Sequence, residues 1–317
     1  MIRSRISLVL RRPLSSHAQG GPSLPQGTSV STLVFLCGTF AGTVGSLVGM
    51  GGAFVALPFL TGFFRLKQHV AHGTSIAAVL ATSIGGSLAY IQREKDLDKT
   101  LSEITIESIP VKIGDVDVLT AACVAISSSI AVIGGAKIAQ RLSAAYLKKA
   151  LGVFMLLVAP TVPLRDHLKS LQPSNKESHE VKYINAKEIE KALSNALGPL
   201  TIGVFSGIMA GLFGVGGGAI TVPALTMFTD LDYQVSLGTS LAVMLPTAMS
   251  GCITHARLGT MKGSIAIPLA AGCLVGSYVG GTFGKHLGDK KLQYGFAGVM
   301  AVLGTRTLLQ VVRLAPK

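Results

Sequence analysis

Long apolar stretches alternate with short polar ones along this 317-residue chain. Positions 30–64, 70–92, 192–229 and 233–256 hold no Asp, Glu, Lys or Arg. Uncharged apolar stretches of about 18 residues or more are long enough to cross the hydrocarbon core of a bilayer. The pattern predicts spans over 30–48, 70–91, 117–136, 195–213, 235–256, 263–284 and 291–311. A further apolar segment, 150–163, has a helix-favouring AAYLKKALG at its start that can lengthen it. Segments 53–64 and 219–229 are too short to cross at about 1.5 Å per residue. Each follows a glycine cluster, GMGG or GVGGG, and each contains a proline, Pro58 or Pro223. Glycine permits backbone angles that end a helix, and proline removes a donor from the helical ladder. These are helix–break–helix or re-entrant units.

The units are copies of one another. Gly49, Gly51, Gly52, Pro58, Gly73, Thr74 and Ser75 stand 165 positions before Gly214, Gly216, Gly217, Pro223, Gly238, Thr239 and Ser240. The match runs without a gap from 38–75 to 203–240, and the offset falls to about 146 after the long loop of the first half, pairing Gly134 with Gly280 and Gly152 with Gly298. An internal repeat of this kind sets the architecture. The expectation is an all-α polytopic membrane protein of two homologous helical halves, 30–163 and 192–312, joined by a polar linker at 164–191. The linker ends in AKEIEKALSNALG, which can run as a surface helix into the next span. Loop charges leave the relation of the halves open. The basic turn at 65–69 against the acidic one at 230–232 fits inverted halves, whereas basic loops at 137–149 and 285–291 fit parallel ones. Broken helices recur in transporters built from inverted repeats, which favours the first.

Composition agrees with the pattern. Charged residues make up 14% of the chain, against about 25% in soluble domains, and the mean hydropathy is +0.56. The net charge of +13 sits in short patches between apolar segments. No recognised nucleic-acid motif accompanies it, so it reads as flanking charge that orients spans, not as a nucleic-acid surface. The first acid of the chain is Glu94. Residues 1–29 carry Arg3, Arg5, Arg11 and Arg12, with Ile2, Ile6 and Val9 on one helical face. That is the signature of an organelle transit peptide, mitochondrial before plastid, with Arg12-Pro13-Leu14 before Ser15 as a processing site. A basic tail outside the membrane is the other reading. The expected location is the mitochondrial inner membrane, or otherwise the plasma or another organelle membrane. Cys37, Cys123, Cys252 and Cys273 are dispersed in apolar stretches and read as small buried hydrophobes.

Candidate chemistry sits at the breaks. Backbone polar groups are tolerated at membrane depth only where protein or a cavity satisfies them. Half-helices beginning at Gly51-Gly52 and at Gly216-Gly217-Gly218 offer unpaired N–H groups and a positive dipole end, which suit an anion. Thr74, Ser75, Thr239 and Ser240 add hydroxyls. Tight helix packing alone would also account for the glycines, and self-capping for the hydroxyls. Apart from Asp117 at the first position of the 117–136 segment, no carboxylate lies in a predicted span, so the candidates for proton coupling are His72 and His255, whose unperturbed pKa is about 6.5. They face Leu237 and Tyr90 in the repeat and form no symmetric pair. Neither a phosphate-binding GxxxxGK[ST] nor HExxH or GxSxG is present. The chain therefore does not read as an enzyme, and no metal or cofactor is implied.

The motif GxxxGxxxGxGGGxxxxP followed by GTS, matched in both halves with the small residues Ala41, Ser206 and Ala210 at its leading positions, resembles the TauE/SafE family, the sulfite exporter or DUF81 group. The resemblance covers roughly residues 32–311. It implies a multi-pass permease, a secondary transporter for small sulfur-containing anions such as sulfite or organosulfonates, coupled to an ion gradient such as H+. Ala53 departs from the motif where the second copy has Gly218. Carried onto this chain, the translocation positions are Gly49, Gly51, Gly52, Thr74, Ser75, Gly214, Gly216, Gly217, Gly218, Thr239 and Ser240. The alternatives are a membrane assembly protein that keeps the fold without transport, and an anion channel. Oligomeric state is not legible.

Overall fold

The computed structural model describes residues 28–91, 112–113, 115–164, 197–229 and 231–314, without side chains at 28–29, 112–113 and 311–314. The first half comprises α1 (Thr28–Val48), α2 (Ala53–Gly62), α3 (Gln68–Ile91), β1 (Lys112–Ile113), β2 (Val116–Asp117), α4 (Val118–Arg141) and α5 (Ala144–Val158). The second comprises α6 (Leu197–Phe213), α7 (Gly218–Phe228), α8 (Tyr233–Arg257), α9 (Gly263–Gly284) and α10 (Asp289–Leu314).

The boundaries follow from local chemistry. Asp117 caps α4, its carboxylate accepting from the Thr120 N–H at 2.9 Å, and Ser143 caps α5 by accepting from Tyr146 N–H. Because Ser143 can begin a helix, the segment expected at 150–163 starts at Ala144, and its apolar run reaches Leu164. The helix over 117–136 likewise continues to Arg141.

The surface is apolar and the interior is rich in hydroxyls. Leu36, Phe40, Ile126, Ile130, Leu157, Phe205, Ile267, Val279 and Phe283 are exposed, whereas Ser46, Thr74, Ser75, Thr82, Ser128, Thr221, Thr239 and Ser240 are fully buried. Water would favour the reverse arrangement; a hydrocarbon solvent favours this one. Among the described residues, six helices are long and apolar enough to cross a membrane. The expected span at 195–213 is instead the shorter apolar α6, and that at 291–311 is α10, which carries Gln293 and Arg306 and is not among the six. A second departure from an all-helical chain is the two-residue antiparallel pair β1–β2, in register Lys112 to Asp117.

Packing relates the halves. α1 lies along α9 and α6 along α4, while α9 also packs on α3 and α4 on α8. The helices of each close pair approach through small residues: a side chain at Gly42 would strike Cys273, and one at Gly207 would strike Ser128. At the middle α3 packs on α8 and, to one side, α5 on α10. The start of α3 lies beside the end of α8, with Thr74 Oγ1 accepting from Lys262 N–H at 3.1 Å. The end of α3 lies beside the start of α8, where Tyr90 adjoins Gly238. The leader and most of the linker, with the expected surface helix, lie outside the described residues.

Candidate translocation site at two glycine breaks

Each break turns the chain sharply with left-handed backbone. Gly49 and Gly51 have φ of 68° and 77°, and their counterparts Gly214 and Gly216 have 64° and 81°. L-residues with a side chain pay about 1–2 kcal/mol in this region, so glycine is required. After each turn a short helix begins, α2 or α7. The two breaks meet in the centre of the molecule. Gly51 and Gly216 both lie against Val79 of α3 and Met244 of α8, which are themselves 165 positions apart. Gly218, opening α7, abuts the carbonyl of Gly49 and the Cα of Met50 so closely that a Cβ there would come within 2.8 Å of both. Ala53, at the equivalent position of α2, keeps its methyl buried. The departure from the motif is thus tolerated on one side only.

The GTS triplet does the same work in each half. Gly73 packs on the backbone of Thr260 and Gly238 on that of Asp115. Thr239 Oγ1 accepts from Asp117 N–H at 2.9 Å, as Thr74 does from Lys262. Ser75 Oγ shares its proton between the Gly214 and His72 carbonyls, both at 2.9 Å, and Ser240 Oγ donates to the Gly49 carbonyl at 3.0 Å. Each serine therefore holds the break of the opposite half. A buried carbonyl or amide left without a partner costs about 1–3 kcal/mol, so the two serine donors and two threonine acceptors secure the crossing of the halves.

Amides at the breaks are less provided for. Gly52 N–H donates to Thr82 Oγ1 at 3.1 Å. Ser206, Thr221 and the Gly217 carbonyl form a buried triangle with contacts of 2.8–3.2 Å. Among the described residues, the buried amides of Gly51, Ala53, Gly216, Gly218 and Ala219 donate to no acceptor. Two positive helix ends with donors to spare thus converge on the Val79–Met244 contact. Sequence reading missed Val79, Met244, Thr82 and Thr247. The signal was there: Thr82 and Thr247 continue the 165-residue offset beyond the GTS triplets. Thr247 also contacts Ser128 Oγ at 2.5 Å.

The two histidines, unrelated by the repeat, come to the same end of the bundle. His72 is buried. Its Nδ1–H donates to the Leu212 carbonyl at 3.1 Å, which leaves Nε2 to accept from the Gln68 amide at 2.6 Å. His255 Nδ1–H donates to Thr260 Oγ1 at 2.9 Å, because that hydroxyl spends its own proton on the His255 carbonyl. The remaining Nε2 is buried without a hydrogen bond, near Gly211. Both rings therefore border the end of α6 that leads into the second break. Among the described residues no cluster of His, Cys, Asp and Glu is arranged to hold a metal ion.

The family model described as Sulfite exporter TauE/SafE matches residues 34–307. Similar proteins include the probable membrane transporter protein YunE of Bacillus subtilis (strain 168), 25% identical over 88% of this chain and 97% of that protein. Others are YdhB of the same organism, 24% identical over 79% and 89%, and MJ0441 of Methanocaldococcus jannaschii, 25% identical over 87% and 95%. Both of these are likewise named probable membrane transporter proteins. No solved structure matches the chain.

Proposed function

The chain belongs to the TauE/SafE family and is a multi-pass membrane transporter of that family, and from this premise we propose that it is a secondary transporter of small anions, sulfite or an organosulfur anion. The observation that carries the proposal is the meeting of α2 and α7 at Val79 and Met244 with unpaired amides at both helix starts. A helix N-terminus carries about half a positive charge. Two of them offset roughly one unit of negative charge without a cation, which would otherwise hold the anion too tightly to release.

The halves are read as inverted repeats. The order of contacts supports this: α3 and its counterpart α8 meet start to end and end to start. α2 and α7 then return toward opposite ends of the bundle as re-entrant half-helices. In this reading Gly49, Gly51, Gly52, Gly214, Gly216, Gly217 and Gly218 form the substrate-facing backbone. Ser75 and Ser240 act through the breaks they hold, and Thr74 and Thr239 through the crossing of α3 and α8 that they secure. His72 and His255 are the coupling groups. A proton arriving at His72 Nε2 turns that nitrogen into a donor, so the Gln68 amide must rotate to present its oxygen. That rearrangement sits at the entrance to the second break. Residues 1–29 are proposed to direct import into an organelle, with mitochondria first.

Reconstitution tests the proposal. Full-length protein in liposomes, with and without a pH gradient, is expected to give saturable flux of one among labelled sulfite, sulfate, thiosulfate and taurine. His72→Gln is expected to keep flux and lose its dependence on the gradient. Ohmic conductance would instead identify a channel. Absence of flux for every sulfur anion from folded protein would remove the proposal in favour of another substrate class or an assembly role.

A further inference from the structure

Beside α2 lies a narrow, open recess lined by residues of α2, α3, α5 and α10. Phe54, Leu57, Pro58 and Thr61 lie along it, one face of α2 from its first turn to its last. It thus runs from the end of α2 to within two residues of the first break. Lys148 and Gln310 line it, and Arg306 lies beside Gly62 at the end of α2, where a Cβ would sit 3.8 Å from both Arg306 Nη2 and Gln310 Nε2. Lys148 and Arg306 are close enough to repel one another, and among the described residues neither makes an ion pair.

Among the described residues, the charge around this recess is one-sided. The four described acids, Asp115, Asp117, Asp232 and Asp289, lie at the other end of the bundle. Asp117 adjoins Thr239 near the start of α8, Asp232 caps α8, and Gln234 ties that end to Leu287 at 3.1 Å. The repeat is one-sided too. At the offsets of 146 and 165, Lys148 corresponds to Tyr294, Arg306 to Pro160, Gln310 to Leu164 and Gln68 to Tyr233. The hydroxyls are kept, Thr307 matching Thr161 and Thr61 matching Thr226, so only the cations and amides are particular to this recess. The negative end of α2 explains part of this, but it amounts to about half a charge. Two full cations leave a surplus of more than one.

Resting on the transport reading above, we propose that Lys148 and Arg306 form an oxyanion-binding site at the mouth of this recess, which admits the anion along α2 to the first break from one side of the membrane only. The guanidinium supplies paired donors to two oxygens, and the ammonium a third contact. Gln310, Thr61 and Thr307 add neutral donors. The same chemistry would hold a phospholipid headgroup, since the site is near the end of the bundle.

Equilibrium dialysis of radiolabelled sulfate and sulfite against the full chain, purified in detergent and stripped of anionic lipid, measures the site without flux. The expected result is saturable binding whose half-saturating concentration rises at least about tenfold in K148Q/R306Q, a change of about 1.4 kcal/mol. K148R/R306K, run beside it, is expected to stay within about threefold, which separates charge from any packing effect. If phosphatidylglycerol co-purifies with the wild-type chain, is absent from K148Q/R306Q and is not displaced by sulfate, the oxyanion is a lipid phosphate. Equal sulfate and sulfite binding by wild type and K148Q/R306Q, with equal lipid content, overturns the site. Flux distinguishes the two claims. Binding that depends on the pair in a protein that carries no anion sinks the transport reading alone. Transport with unchanged half-saturation in K148Q/R306Q sinks the mouth alone.

Discussion

The two glycine breaks have nearly the same backbone and unequal surroundings. Gly49 and Gly51 match Gly214 and Gly216 in φ to within a few degrees. Beyond that the copies diverge. Gly52 is right-handed at φ −66°, whereas Gly217 is left-handed at φ 76°. A Cβ on Gly51 would sit 3.3 Å from Val79, at the limit of tolerance, but one on Gly216 would overlap the same side chain outright. At the next helix start Ala53 fits where Gly218 admits nothing larger. The second break is the tighter, pressed against Val79, Met50 and the His72 backbone. The first has slack at Gly51 and Ala53, although a Cβ at Gly49 would still meet Leu237 and one at Gly52 would meet Thr82, and it is beside the first that the cationic recess runs. The duplicated motif keeps its turn geometry in both copies and is packed less tightly at Gly51 than at Gly216.

Substitutions can break this comparison in graded fashion. The largest loss is expected for Gly214→Ala. It forces a side chain into left-handed backbone at about 1–2 kcal/mol and drives a methyl into the His72 main chain, adding about 1–3 kcal/mol. Folded yield on size-exclusion chromatography should fall sharply, and a wild-type yield would show that the turn is not left-handed. Gly218→Ala comes next, at about 1–3 kcal/mol from collision with Gly49 and Met50. Ser75→Ala and Ser240→Ala should each cost about 1–3 kcal/mol, through a buried carbonyl of the opposite break. Their losses in thermal stability should be similar, and a strongly unequal pair would argue that the halves do not hold one another reciprocally. Ala53→Gly is expected to cost least, about 1 kcal/mol of helix propensity. If Ala53→Gly proves as damaging as Gly218→Ala, the slack assigned to the first break is absent.

Much of this was legible in the chain. The charge-free stretches fixed most of the helices, and a constant offset of 165 residues paired the breaks before any contact was known. Two things were not legible. Loop charges pointed both ways on orientation, because charges fix only which loops share a side. Thr74–Lys262 and Thr239–Asp117 are contacts between distant segments that no local pattern encodes. Likewise the GTS hydroxyls looked available to a ligand by residue type, yet Ser75 and Ser240 each donate to a specific carbonyl more than a hundred residues away. No pattern in the chain singles out Arg306. Only the packing of α10 on α5 brings it near Lys148.

The central claim is that two breaks from different halves make one anion site. It is tested most directly by the half-saturating concentration for sulfite flux in Ser75→Ala, Ser240→Ala and the double variant, each shown to be folded. A shared site predicts that either single change raises the value several-fold. It also predicts that the double departs from the product of the singles, since both act on the same bound anion. Unchanged half-saturation in all three, with transport intact, would mean that the anion crosses elsewhere and that the breaks serve only to pack the halves together.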